Sequence, residues 1–276
     1  MNRSRRIGRF EVAAVSDGVI EASIDIALGS DHPQARRAAC IDERGAIEMP
    51  VNVFLVEFDG QRALIDTGAS DTLGPRTGQL PANLRALGVM PGQIDLVFLT
   101  HWDPDHSNGL VDAHGEALYP NAQVFVRDED AAFWLDRPVD DAVPARLQRR
   151  MRWAQRASAP YRDRGRLHRV REGEVLPGVR SLLSNGHTPG HAAWVFGSGA
   201  EGFVAWGDTV HLPRLQIPHP EVGVVFDVDP AAAAQARLRM FEDVLREGWL
   251  VAGVHLDAPG FHRLGRDGAG YRVEPA

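Results

Sequence analysis

Four side chains able to bind a metal ion fall within six residues of this chain: His101, Asp103, Asp105 and His106, in Thr100-His101-Trp102-Asp103-Pro104-Asp105-His106. Imidazole nitrogens and carboxylate oxygens at this density suit zinc, iron or manganese, and the chemistry such a site supports is hydrolysis. The spacing does not fit one helix face, and Pro104 is expected to interrupt a helical turn. The stretch therefore reads as a loop that fans its ligands toward more than one ion. A solvated polar loop is the competing account. Against it stands the apolar run Ile94-Asp95-Leu96-Val97-Phe98-Leu99 just before, which reads as a strand presenting chemistry at its end.

Further candidates sit where other strands are expected to stop. They are His187 in Gly186-His187-Thr188-Pro189-Gly190-His191, Asp208 in Trp206-Gly207-Asp208-Thr209, and His255 after Ala252-Gly253-Val254. Each alone is weak, since a lone histidine at a strand end is more often a hydrogen-bonded surface or core residue than a ligand; their order along the chain carries more. Asp66, in Asp66-Thr67-Gly68, reads better as a carboxylate that braces a neighbouring loop than as a ligand. The single cysteine, Cys40, excludes an internal disulfide and a thiolate-rich zinc site. No Gly-x-Ser-x-Gly elbow is present, so neither a serine nor a cysteine nucleophile is called for.

The elements that must hold these groups alternate between strands and helices. Residues 7–26 read as two strands around the turn Ser16-Asp17-Gly18, and 27–49 as a polar, arginine-containing loop that covers something or reaches a partner. Val51 to Phe58 and Arg62 to Ile65 read as a hairpin through Asp59-Gly60. Pro81 to Gly88 is a short helix with Leu84 and Leu87 on one face. Ala122 to Val126 is a strand, followed by helices over Asp128 to Leu135 and Pro144 to Ala157. Residues 159–166 resemble a linker, the best candidate for a seam between two halves of a single domain. Strands follow at Leu167 to Val170, Val179 to Leu183, Ala192 to Phe196 and Phe203 to Trp206. Pro230 to Arg246 is the longest helix, and Trp249 to Val254 a final strand. Two strand groups, each with following helices, predict an α/β four-layer αββα sandwich.

Bulk properties narrow the function. The 276-residue chain is 44% hydrophobic, enough for one large core, and its net charge of −7 argues against a nucleic-acid partner. Arg146, Arg149, Arg150, Arg152 and Arg156 read as one solvated helix face. The basic start at Met1 is not followed by an apolar stretch, and no run approaches the ~20 apolar residues of a membrane span, so a soluble, cytoplasmic protein is expected.

In its motif order the chain resembles the metallo-β-lactamase-fold superfamily, and within it the methyl parathion hydrolase and lactonase group. The resemblance rests on Asp66-Thr67-Gly68, Phe98-Leu99-Thr100-His101, Asp105-His106, Ala132-Phe133-Trp134-Leu135, the 186–191 segment and Gly270-Tyr271-Arg272. It implies two divalent metal ions, zinc by family: one held by His101, Asp103 and His187, another by Asp105, His106 and His255, with Asp208 bridging and His191 not a ligand. Aspartate at 103 departs from the family's histidine, giving a His-x-Asp-x-Asp-His variant. Flavodiiron proteins of the same fold place a glutamate there and bind iron. Counting two dications against Asp103, Asp105, Asp208 and a hydroxide leaves about zero net charge, instead of about +1 with histidine, which favours iron or manganese and predicts that Asp103→His raises zinc affinity.

The implied reaction is attack of a metal-generated hydroxide on an ester or lactone, aryl by preference, with phosphotriester cleavage as a side activity. Asp105 is the candidate for orienting the hydroxide and passing protons. Trp102, Trp134, His211 and Phe226 are candidates for lining the small-molecule pocket, each with ordinary packing as its alternative. The resemblance also implies a homodimer. Two rivals remain open: an iron-dependent oxidoreductase of the persulfide dioxygenase kind, and a non-catalytic binding protein with a degenerate site.

Overall fold

The computed structural model describes residues 4–29, 32–258, 260–268 and 270–276; Met1, Asn2 and Arg3 of the basic start, and residues 30 and 31, lie outside them. The first part of the chain runs β1 (Ser4–Ile7), β2 (Phe10–Ser23), β3 (Ala27–Leu28), α1 (Pro33–Ala39), β4 (Ala46–Phe58), β5 (Gln61–Ile65), α2 (Leu80–Ala86), β6 (Leu96–Phe98), α3 (Pro104–Ser107), β7 (Gln123–Arg127), α4 (Asp128–Trp134), α5 (Ala145–Arg162) and β8 (Leu167–Val170). The second runs β9 (Gly173–Leu176), β10 (Val179–Leu183), β11 (Ala192–Phe196), β12 (Phe203–Ala205), α6 (Pro213–Gln216), β13 (Gly223–Val224), α7 (Pro230–Glu247), β14 (Leu250–Ala252), β15 (Phe261–Asp267) and β16 (Gly270–Pro275).

Two seven-stranded sheets result, in the orders β1-β2-β4-β5-β6-β7-β8 and β16-β15-β14-β12-β11-β10-β9. On β4, Phe54, Val56 and Phe58 face inward and meet Phe98, Phe196 and Phe203 between the sheets. Val53 and Leu55 face outward, onto the core that Leu84 of α2 and Met151 of α5 share. Both faces are covered here, so Val53 to Val56 form a continuous apolar run instead of alternating. On the far side Val204 and Val251 pack against Met240, Phe241 and Val244 of α7. The layers are therefore helix, sheet, sheet, helix, as expected. No described helix is long and apolar enough to cross a membrane.

Local expectations fare unevenly. Asp59-Gly60 makes the hairpin turn, with φ of 49° and 78°. Ser16-Asp17-Gly18 is no turn: it is a bulge in one long β2, where the pairing with β4 slips between Ser16 and Gly18. The extra residue, Asp17, is buried and accepts backbone N–H bonds from Ala69, Gly78 and Leu80, so the same small polar residues anchor a loop. The described residues of 27–49 include β3, α1 and the start of β4 instead of one loop, with Ala35 and Ala39 packed against the cluster of Leu212 and Leu215. Leu80 takes the buried place beside Leu84 and leaves Leu87 38% exposed. α5 continues through Pro160, so residues 159–166 are its last turn and the entry to β8, which completes the first sheet. Trp249 to Val254 is not the final strand: β14 is followed by β15 and β16.

Candidate metal centre

The candidate ligands converge because neighbouring strands run parallel. β5 pairs with β6 in the first sheet and β12 with β14 in the second, so the segments leaving them emerge at shared edges. Thr100 ties the edges together. Its N–H and hydroxyl donate to Asp66, while its carbonyl accepts the N–H of Ala192 from the second sheet. Beyond it, His101 and Asp103 point into the site and Trp102, between them, points the other way. Pro104 does not interrupt a helix. It begins α3 at the first position, where its missing N–H costs nothing, and that turn carries Asp105 and His106.

His187 Nε2 lies 3.2 Å from both His101 Nε2 and Asp103 Oδ2. A second group forms where His106 Nε2 stands 3.4 Å from Asp105 Oδ2, with His255 Nε2 3.6 Å from the same oxygen. Asp208 faces both groups. Its Oδ1 is 3.0 Å from His106 Nε2 and 3.1 Å from His255 Nε2, and its Oδ2 is 3.3 Å from His187 Nε2 and 3.6 Å from His101 Nε2.

The far nitrogen of each of these histidines is engaged. His106 Nδ1 meets Asp66 at 2.7 Å, His187 Nδ1 meets Asp227 at 3.0 Å, His255 Nδ1 donates to the Pro50 carbonyl, and His101 Nδ1 meets the Thr100 hydroxyl. Such partners fix the tautomer that turns each Nε2 lone pair inward. His106 Nε2 and Asp208 Oδ1 are buried with no hydrogen-bond partner, as befits atoms that share a cation. The chemistry of the donors and these orphaned atoms together fit two metal ions.

Without a cation the electrostatics are lopsided. Burial opposes charge on every group, yet Asp208, Asp105 and Asp66 hold the His106 proton well above the usual histidine range. His187, against the same burial, is pushed up to about 10 by Asp103, Asp227 and Asp208. His101, fully buried beside His106, falls to about 4. His191 is no part of either group. Its Nδ1 donates to the Ser184 carbonyl and its Nε2 accepts the Asp208 N–H at 2.9 Å, which orients the bridging residue.

A cavity of about 320 Å³ opens onto these groups, walled by Ile20, Met49, Leu73 and Phe226 and floored by Asp105, His187, Asp208 and His211. His211 and Phe226 both line this cavity. Trp102 and Trp134 do not: both are fully buried in the core beneath α4 and α5 and neither lines the cavity. Residues of the 27–49 segment, Ala39, Ile41 and Ile47, wall a smaller neighbouring cavity with His211 and His255.

The arginines of α5 are not one solvated face. Arg146, Arg149 and Arg150 line the main cavity with Trp153. Arg150 pairs with Asp103 through two nitrogens, its Nε 2.8 Å from Asp103 Oδ1, and lies over the Trp134 ring at 4.8 Å. The i, i+3, i+4 spacing was visible in the sequence, but such spacing serves a pocket wall as well as a wet surface.

The sequence profile of the metallo-beta-lactamase superfamily matches residues 46–263. Among solved structures, the hydrolase AbOPH of the beta lactamase superfamily is similar at a TM-score of 0.91 with 30% identity, over 100% of this chain and 97% of that one. AidC, a dizinc quorum-quenching lactonase, is similar at a TM-score of 0.88 with 24% identity, over 100% and 97% of the two chains. A probable metal-dependent hydrolase from Staphylococcus aureus follows the same fold at a TM-score of 0.77 with 18% identity, over 99% of each chain. No curated protein matches the sequence.

Proposed function

This chain belongs to the metallo-β-lactamase superfamily, and from that premise we propose that it is a metal-dependent hydrolase of an ester or lactone. His101, Asp103 and His187 would hold one ion, Asp105, His106 and His255 the other, with Asp208 bridging. The observation that carries this reading is Asp208 itself, whose two oxygens each face a different group of histidines. When bound, two divalent ions at such a centre acidify water and polarise a carbonyl oxygen. The all-oxygen-and-nitrogen donor set is compatible with zinc, and the extra carboxylate at 103 with iron or manganese.

The chain's own residues supply the rest. Asp105 borders the cavity, and His106, against the cost of burial, keeps its carboxyl below the usual range. It is therefore ionised at neutral pH and can accept a proton at its Oδ beside the reacting group. His211 lies against Asp208 at 2.9 Å, and burial lowers its pKa. Its Nδ1 has no hydrogen-bond partner, which leaves one ring nitrogen available to a polar group of the substrate. Ile20, Met49, Leu73 and Phe226 suit a hydrophobic acyl or aryl group, and the N-acyl-homoserine product bound in the similar lactonase AidC supports an acyl chain there.

The test is a screen of aryl esters, lactones and phosphotriesters with protein stripped of metal and reloaded with Zn, Mn or Fe. Hydrolysis of an aryl ester or lactone by reloaded protein is expected. No turnover of any ester or lactone with all three metals, or oxygen consumption with a thiol substrate alone, would overturn the reading.

A further inference from the structure

Arg150 is held on every side. Its Nε and Nη2 grip Asp103, Nη1 donates to the Phe226 carbonyl at 3.2 Å, and the guanidinium carbon stands 4.8 Å over the Trp134 ring. The side chains of the pair are only 12% and 9% exposed. A surface arginine that merely leans on a carboxylate would have neither the burial nor the four contacts. Burial makes each partner dependent on the other, because either charge alone would be left uncompensated away from water.

Both oxygens of Asp103 touch Arg150. Oδ1 accepts from Nε and Nη2, and Oδ2 accepts from Nη2 while also facing His187 Nε2 at 3.2 Å and His101 Nε2 at 3.7 Å. Arg150 lowers the Asp103 pKa against burial, aided by the two histidines. We propose that Asp103 and Arg150 form one composite ligand, in which Arg150 is a positioning residue that aims Oδ2 into the centre and cancels the carboxylate's charge. This inference rests on the two-metal reading above.

Its consequence reverses the expectation from counting ligands alone. With Arg150 included, the centre carries the same charge as one with a neutral histidine at 103, so the carboxylate does not by itself weaken the site for zinc. Replacing Asp103 by histidine then leaves a buried guanidinium facing a dication, and the first ion is repelled instead of gained. Removing both members together restores a neutral donor with no stranded charge.

The experiment compares stripped wild type, Asp103→His and Asp103→His/Arg150→Met. Bound zinc is counted by elemental analysis after gel filtration, affinity is measured by chelator competition, and circular dichroism monitors folding of each metal-free protein. Wild type is expected to hold two equivalents. Asp103→His should lose one, or bind it at least about tenfold more weakly, and the double variant should regain it. If Asp103→His does not fold, Asp103→Asn with and without Arg150→Met provides the same comparison. Two zinc ions on Asp103→His at wild-type affinity or tighter, or a double variant no better than the single, overturns the inference. So does a single equivalent on wild type, whereas no zinc at all removes the metal-dependent reading with it.

Discussion

Asp66 shapes the centre through hydrogen bonds alone. It sits at a φ of 62°, an uncommon conformation for a residue with a side chain, and from there accepts from the Thr100 amide and hydroxyl and faces His106 Nδ1. Asp66→Asn would present an amide N–H to the N–H of His106 and drive its proton to Nε2, where a metal needs the lone pair. Chelator competition should show zinc affinity lowered by about 10- to 100-fold, with the fold retained. Unchanged affinity would remove Asp66 from the centre's support. The bracing role was legible in Asp66-Thr67-Gly68, where a carboxylate at a strand end followed by a turn glycine accepts backbone hydrogen bonds from a neighbouring loop.

Asp130 offers a pH signature outside the ligand set. Burial pushes its carboxyl up to about 7 from 3.8, although it accepts the backbone N–H groups of Trp102 and Gly190. Between those values the folded chain holds a proton that the unfolded chain has released, so stability falls as pH rises across that window and levels off above it. Asp130→Asn cannot titrate. Denaturant melts should show wild type losing about 2 kcal/mol relative to this variant between pH 5 and pH 8. A difference that stays constant with pH would mean the carboxyl is ionised throughout.

At the scale of elements, the turn after β12 sets Asp208. Gly207 has a φ of 52°, and a Cβ there would meet His191 Nε2 at 2.5 Å and Thr100 Cβ at 2.9 Å. Both neighbours are fixed, Thr100 by Asp66 and His191 by the Ser184 carbonyl and the Asp208 amide. Gly207→Ala should therefore cost about 1–3 kcal/mol in denaturant melts and displace Asp208, lowering zinc binding at both positions together. A stable variant with full zinc binding would show that the turn tolerates a side chain. Hairpins and long helices were readable because their signals are local: Asp59-Gly60 permits positive φ, and Gly248 closes α7 at a φ of 72°. The bulge at Asp17 and the pocket-facing arginines were not, since a turn signal and a helical charge stripe do not reveal the neighbours that give them meaning.

At the scale of the molecule, the candidate ligands come from segments spread between residues 101 and 255, on loops that belong to both sheets. The αββα sandwich was readable from two groups of strands with following helices, whereas the ligand set came only through the family that the motif order resembles. The pocket wall was less so, because Ile20 and Met49 reach it from strands far along the chain and Trp102 leaves it through the alternation of an extended backbone. Ions held at the proposed centre would fasten one sheet's loops to the other's. Without them, Asp103, Asp105 and Asp208 lie buried together, with Arg150 and the raised His106, His187 and His255 as counter-charges among the described residues. Ligands that bind only the folded state stabilise it by about 2.7 kcal/mol at a hundred times Kd and about 4.1 kcal/mol at a thousand times. Stripping metal with a chelator should accordingly lower the melting temperature, and zinc should restore it in a titration that saturates at two equivalents. Chelator-treated protein shown by elemental analysis to be metal-free, yet melting at the same temperature, would mean that the loops are held by protein contacts alone and that the ions serve chemistry without serving the fold.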